Sequence, residues 1–593
     1  MNTALRQGVI WGLAIATLLL SVFQLHNDDA GFHVANGQWI LDQGTIPLHN
    51  PFSYANDGAV WVQHQWLSAT WMALIAGNWG AKGLILWKAS LVFLTFLLLM
   101  SGCKRLPLAW LTGLGMLTIG ASAYRFVERP YLITMLLMGL TGIVLTRWRE
   151  QPEDKRMLLV GLVATVLSFH FHAGGLYCLL LWGALAADGL ITDITSHSPK
   201  SWSRSKTVLP WLAALVALTG FTLLALAPSG LQVLLLPFGF SHHEYWNQHL
   251  GEFRPLPIHM DAWPQWCLIV VASFTGLWSL RTRQFFQGLV LLGFSFLAIK
   301  HARMIYPLGV ALLAMAGSLT LPSPRGKPWV WVFLAVGITS MASGSWGHMN
   351  RVEMGLGEDG FDRRKHPIEL MNLAKELPGE TFVSDGLAGT WLWQVYDGSI
   401  ENPEDQKRVL IHNCLECYEE DTYKDEYQWI RYGNEGWEQK VDALNIRSFL
   451  LKHTTPGARK MQQGKPNIRH HLFQSDRWHL VEFNDVASLY VRGDALPGGI
   501  HSLDGGKQPF PVDPDSWRPR KSDTPWPRLK ESLEKHSTNH PKEIRSLMIL
   551  GQLAMQIGDI PTLAEATKEV LGRRPDGPEA QSLRLMLTRA TGK

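Results

Sequence analysis

The sequence predicts a multi-pass α-helical membrane protein of about eleven spans, followed by a C-terminal extracytoplasmic α/β domain and a small α-helical repeat tail. Three observations carry this. Apolar residues, 47% of the 593, concentrate before residue 345 in runs long enough to cross a hydrocarbon core of roughly 30 Å. Lys and Arg segregate to alternate loops between those runs. Composition then changes abruptly near residue 346.

The spans are expected at about 8–25, 83–102, 106–123, 131–147, 157–170, 173–190, 208–227, 264–280, 285–299, 304–321 and 328–345. Arg6 precedes the first, and no small-residue cleavage site follows, so the run reads as a retained signal anchor. Loops 103–105, 147–156, 191–207, 281–284 and 322–327 share one side and carry thirteen Lys and Arg, from Lys104 to Lys327. The opposite set carries Arg125, Arg129, Arg254, Lys300 and Arg303, with Lys82 and Lys88 near the second span. This bias puts the N-terminus in the cytoplasm and everything after Trp346 outside. The net charge of +4 gives no sign of a nucleic-acid partner.

Between the first two spans lies an outer loop, 26–80, with Asp28 and Asp29 at its start and no Lys or Arg. Its last part, 66–80, is apolar but short and is expected to lie along the interface. After the membrane domain (1–345), residues 346–493 alternate helical and strand signals. HPIELMNLAKELPG and GWEQKVDALN read as helices, and TFVSD, RVLIHN and RSFLLKH as strands. WHLVEFNDVASLYV reads as a hairpin turning at Asn484-Asp485. A small α/β domain with a mainly parallel sheet is the expectation. Residues 494–527 are Pro- and Gly-rich and read as a stiff linker. In 528–593, Pro541 and Pro575 are 34 residues apart, and Leu550-Gly551 and Gly558 fall between them, which resembles a tetratricopeptide repeat. Such a tail is expected to recruit a protein partner.

Charges beside apolar runs are costly without a use. Under the expected topology Asp28, Asp29, Arg125, Glu128, Arg129, His170, His172, Lys300, His301 and Arg303 all lie outside, so both signs gather on one face. That suits a pocket for an anionic lipid head group. Each has a simpler role as well. The two aspartates are common helix N-caps, Arg125 and Arg129 can anchor span ends by snorkelling, and His170 and His172 can be interfacial hydrogen-bonders. Asp29 and His33, four apart, share a helix face and would supply two ligands to a divalent metal. His242, His243 and His249 in the loop 238–262 are a further candidate set. Cys414 and Cys417 form a CxxC that reads as a local disulfide in an oxidising outer compartment.

The segments HNDDAGFHVANGQWILDQGTIPLHNPFSY, YRFVERPYLITMLLM, FHFHAGGLYCLLLWG and LAIKHARMIYPLGVAL resemble those of bacterial polytopic proteins of the GT-C glycosyltransferase superfamily. The resemblance covers nearly the whole chain. It implies a protein of the bacterial inner membrane that transfers a sugar from a polyprenyl-phosphate donor to an envelope acceptor on the outer face. Asp28 or Asp29 would then be the catalytic base. Arg125, Arg129, His301 and Arg303 would bind the donor phosphate, and His33, His170 and His172 the substrate. The rivals are a non-enzymatic membrane scaffold that recruits partners through its helical tail, and a polysaccharide polymerase, ligase or transporter.

Overall fold

Each of the eleven apolar runs coincides with a helix, apart from a few residues at its ends, in the computed structural model. The model describes residues 3–55, 60–195, 204–236, 254–319, 328–400, 406–412, 414, 417–454, 467–496, 510–520, 524–575 and 577–591. Two units cluster separately: unit 1 comprises Met1–His49 and Val60–Asp362, and unit 2 comprises Asn50–Ala59 and Arg363–Lys593.

Unit 1 is helical: α1 (Thr3–Ser21), α2 (Asp29–Gln43), α3 (Trp66–Gly102), α4 (Leu108–Ser122), α5 (Tyr131–Glu150), α6 (Lys155–Phe171), α7 (Gly175–Thr195), α8 (Arg204–Leu226), α9 (Trp263–Arg281), α10 (Phe285–Lys300), α11 (Ile305–Ala316) and α12 (Trp329–Met349). Among the described residues, six helices are long and apolar enough to cross a membrane: α1, α3, α5, α7, α8 and, from Val330, α12. Phe285–Lys300 and Ala302–Ala316 are apolar but shorter. Every residue of α11 is buried, as an all-round apolar helix requires, and it forms the centre of the unit with α4, α5 and α10 packed around it.

Small residues set the closest approaches. On α4 and α12, glycines recur seven apart, at Gly113 and Gly120 and at Gly337 and Gly344. A Cβ on Gly344 would stand 2.0 Å from the Gly120 carbonyl oxygen, so the two backbones touch there. Within the first loop, a Cβ on Gly37 of α2 would stand 1.9 Å from the Ala69 carbonyl oxygen, which seats α2 against the first half of α3. That half, the stretch 66–79, is separated from the long span by a break at Gly80, whose φ of 61° and ψ of −157° only glycine adopts readily. Residues 29–43 and 66–79 of the loop are therefore helical and docked on each other within unit 1. Residues 22–25 are pinned by the chain after α12: Gln24 N–H donates to the Glu353 carbonyl (2.8 Å) and Leu25 N–H to that of Gly360 (2.7 Å). This fixes the backbone just ahead of Asp28.

Unit 2 carries a four-stranded sheet of β1 (Glu380–Val383), β2 (Ile446–Lys452), β3 (Trp478–Phe483) and β4 (Ala487–Arg492), in the order β1-β2-β4-β3. Only β1 and β2 are parallel, while the β3–β4 hairpin joins antiparallel to β2. The sheet is thus mixed, not mainly parallel, because the hairpin at Asn484 folds its second strand back beside β2. Helices α13 (Ile368–Lys375), α14 (Ala388–Val395), α15 (Trp437–Ala443) and α16 (Ile468–Gln474) accompany it. RVLIHN makes no strand of this sheet. Val409 bridges Ser53 instead, with Val409 N–H donating to the Phe52 carbonyl (2.9 Å) and Tyr54 N–H to that of Val409 (3.0 Å).

The tail forms four helices, α17 (Trp526–Asn539), α18 (Arg545–Ile557), α19 (Ile560–Arg573) and α20 (Pro578–Thr591), each packed on the next. Gly558, at φ 85°, closes α18 before α19. The tail and the sheet belong to the same unit. The described part of the Pro-rich stretch is not a spacer between them: Phe510, Val512, Asp513 and Asp515 are buried, and Asp515 accepts from Thr454 N–H at 2.7 Å. Cys414 and Cys417 are buried thiols and not the disulfide expected. Their turn is held by backbone groups, Cys417 N–H to the Cys414 carbonyl and Cys414 N–H to His412 Nδ1, both at 3.1 Å.

Candidate functional site

Asp28 and Asp29 stand where the pinned segment 22–25 turns into α2. Asp28 occupies the N-cap position with helical dihedrals (φ −63°, ψ −30°), and its side chain makes no capping hydrogen bond to the helix. Capping is therefore not its use, although it is only 8% exposed. Asp29, the first residue of α2, forms an ion pair with Arg129, both side chains being about a quarter exposed or less. Arg129 is placed by Pro130, whose fixed φ opens α5.

One turn into α2, buried His33 lies beside Phe32, and Phe32 packs on Trp61 with ring centroids 5.5 Å apart. His64 meets His172 edge-on at 5.8 Å. His172 caps the C-terminus of α6, and its Nδ1 accepts from Gly174 N–H at 2.9 Å, which fixes the ring as an acceptor on that side. Burial holds the His172 imidazole well below its usual pKa, and the positive fields of His64, Arg303, His33 and Arg129 act in the same direction. His172 thus marks a convergence of four segments: the first loop, the start of α5, the end of α6, and the turn between α10 and α11.

That last turn is Ala302–Met304, a single 3₁₀ turn. It is tied down at Ala302, whose N–H donates to the Arg254 carbonyl (3.0 Å) and whose carbonyl accepts from Tyr124 Oη (2.8 Å). Arg303 is carried on it. His301, just before it, caps α10 through N–H to the Leu297 carbonyl at 2.9 Å.

The remaining residues singled out in sequence are used differently. Arg125 lies over the Tyr131 ring, 4.8 Å from its centroid, and its carbonyl accepts from the Tyr131 hydroxyl. His170 bonds Thr222 on α8 through Nε2 (3.1 Å) and meets Trp66 edge-on. Arg129, paired with Asp29, and His33 and Arg303 are thus all within electrostatic reach of His172, while Arg125 and His170 have local partners. His242, His243 and His249 lie outside the described residues. Among the described residues, no group of three possible metal ligands includes Asp29 or His33.

Sequence reading missed two parts of this surround. One is His64, together with the reciprocal amide pair Asn36–Gln63 (3.1 and 3.2 Å) that holds its segment to α2. The other is the fully buried pair Lys88–Glu128 at 2.5 Å, with Glu128 immediately before Arg129. Lys88 also donates to the Phe23 carbonyl at 3.2 Å, so α3 ties the segment before Asp28 to the segment before Arg129. Chemically, the set offers carboxylates able to take a proton and guanidiniums able to hold an anionic oxygen in forked hydrogen bonds. No protein-family model matches the chain, and no curated protein matches it.

Proposed function

We propose that the chain is a GT-C-type membrane glycosyltransferase of the bacterial inner membrane. It would move a sugar from a polyprenyl-phosphate donor to an envelope acceptor on the outer face. The observation that carries this reading is the Asp29–Arg129 ion pair at the start of α2, next to Asp28, with Arg129, His33 and Arg303 all close enough to act electrostatically on His172. Asp28, at the N-cap position of α2 beside the Asp29–Arg129 pair, is the acceptor base. Arg129 and Arg303 hold the departing polyprenyl phosphate, with His301 beside Arg303, and Arg125 anchors Tyr131 at the rim. His33 and His172 face the sugar. On this reading, eleven spans with a cytoplasmic N-terminus would leave this group on the outer face.

The test is transfer from a panel of polyprenyl-phosphate sugars by membranes containing the full chain. Asp28→Asn should insert normally and lose about 10²–10⁴ in rate, the usual worth of a general base. Asp29→Asn should lose less, through loosening of Arg129. Arg303→Lys should retain more donor affinity than Arg303→Gln, since charge survives but the planar fork does not. Full activity in both aspartate variants would exclude the base, and no transfer by the wild type from any donor would exclude the reaction. A second reading, a scaffold that recruits an envelope partner through tetratricopeptide-like hairpins in 528–593, is favoured by exposed Ile557 and Leu585 on the tail. Under it, neither aspartate variant would alter envelope assembly, and deletion of 526–593 would.

A further inference from the structure

In unit 2, the last turn of α17 faces the end of β3. His536 lies on α17 and His540 one turn further on, just past the helix end, on the same face. Both imidazoles address one carboxylate. Glu482 Oε1 is 2.9 Å from His536 Nε2, and Glu482 Oε2 is 3.3 Å from His540 Nε2. Taking one ligand atom from each residue, a carboxylate oxygen and two imidazole nitrogens, the three lie within 4.8 Å of one another.

The surroundings orient these groups. Ser546 Oγ bonds His536 Nδ1 at 2.8 Å, which leaves Nε2 as the nitrogen that faces Glu482. The His536 ring stacks on Phe483 at 3.9 Å between centroids, with the planes 7° apart, and His540 stacks on His536 at 4.3 Å. Glu543 stands beside His540, with Oε1 3.9 Å from Nδ1, and its buried Oε2 has no hydrogen-bond partner. Asp485 is nearby but is neutralised by Arg574 at 2.5 Å. Two carboxylates, Glu482 and Glu543, therefore border the stacked histidines.

We infer that Glu482, His536 and His540 form a zinc site that joins the helical tail to the sheet. A tetrahedral ion with bonds of about 2.0–2.1 Å separates its ligands by about 3.3–3.4 Å. Glu482 Oε2 already stands 3.3 Å from His540 Nε2, close to that value, while His536 Nε2 lies 2.9 Å from the other oxygen, Oε1, so a small rotation of the carboxylate is needed for one oxygen to share an ion with both rings. Two imidazoles and one carboxylate suit Zn²⁺; Mg²⁺ and Ca²⁺ take oxygen ligands. Ser546 serves as the outer partner that fixes a ligating imidazole. The fourth position falls to water or to Glu543. The ligands come from segments 54 residues apart, so the ion binds the folded unit and not the unfolded chain.

The experiment uses the full chain purified in detergent, stripped with EDTA and equilibrated with Zn²⁺ alone. One equivalent of zinc should be retained by elemental analysis. X-ray absorption should show nitrogen and oxygen neighbours, with no sulfur. At about a hundredfold excess over Kd, zinc should raise the melting temperature of unit 2 by about 5–10 °C. His540→Gln and Glu482→Gln should each weaken zinc binding at least about tenfold and abolish the shift. His540 is partly exposed, so His540→Gln should melt with the EDTA-treated wild type, which separates lost binding from lost folding. His33→Gln, in unit 1, should keep the equivalent. A wild type with no stoichiometric zinc, sulfur in the first shell, or variants that bind zinc as the wild type does would each overturn the site.

Discussion

Both units keep ionisable groups out of water, and a pair of sites, one in each, shows two opposite means. Unit 1 pairs opposite charges directly. Lys88 and Glu128 have no exposed side-chain surface and meet at 2.5 Å, while Arg149 grips buried Asp188 through two nitrogens at 2.9 and 3.1 Å. In unit 2, a fully buried imidazole stays uncharged. His412 Nδ1 accepts from Cys414 N–H at 3.1 Å, its Nε2 meets the Asn50 amide at 3.0–3.2 Å, and burial pushes its pKa down to about 3. A direct ion pair fails when one partner is removed, at any pH. A neutral imidazole with both nitrogens in use fails when it is protonated. The first kind of site is therefore sensitive to composition, and the second to acidity.

The largest effect should come from Lys88→Met, which leaves Glu128 buried without its counter-charge and costs about 3–5 kcal/mol. It would be read as a lower melting temperature and loss of monodisperse protein in detergent. The double variant Lys88→Met/Glu128→Gln should recover most of this, since neutral groups replace both charges. A double variant as damaged as the single one would break the comparison, because the pairing would not then be what matters.

Acid should act next. The folded pKa of His412, about 3, lies below the unfolded value of about 6.5. Between those values the unfolded chain takes up a proton that the fold refuses. The contribution is therefore fully present above about pH 6.5 and is lost as pH falls. From pH 7 to pH 5 the loss should be on the order of 1–2 kcal/mol, followed by thermal unfolding of the full chain. His412→Gln should flatten this component, and an unchanged pH profile in that variant would assign the acid sensitivity elsewhere. The smallest effect belongs to Arg477→Ala. Its pair with Glu438, at 3.1 Å, has side chains 51% and 40% exposed, so the change in stability should stay below about 1 kcal/mol. A larger loss would mean that exposed pairs in unit 2 matter as buried ones do in unit 1.

Asp28, Asp29, Arg129 and Arg303 were legible because each borders an apolar run, where a charge stands out. His64 was not, since it lies in a polar loop where nothing marks it. The close approach of α4 and α12 is written in the seven-residue spacing of Gly113, Gly120, Gly337 and Gly344, but only the fold reveals which helices those glycines bring together. RVLIHN was read as a strand from its branched residues. Its partner, residues 52–54, lies too far back in the chain for any local pattern to reveal. Glu482, His536 and His540 sit on a strand and a helix whose individual patterns are ordinary, so their meeting depends on how the tail docks. The CxxC spacing allowed either a disulfide or two thiols, and spacing alone does not decide between them.

Asn50 and His412, hydrogen-bonded in unit 2, are 362 residues apart. At 5–20 residues per second, a ribosome needs roughly 20–70 s to make the second after the first. Throughout that interval, the edge at Phe52–Tyr54 waits for a partner that has not been synthesised. Contacts at such separation are slow to form and leave strand edges open in the meantime. The C-terminal unit is therefore not a cassette: a fragment begun at Arg363 would lack Asn50–Ala59, leaving Val409 without its bridge and His412 without its amide. Its maturation has to follow emergence of the first loop, and a holdase that shields that loop would govern the yield of the whole molecule.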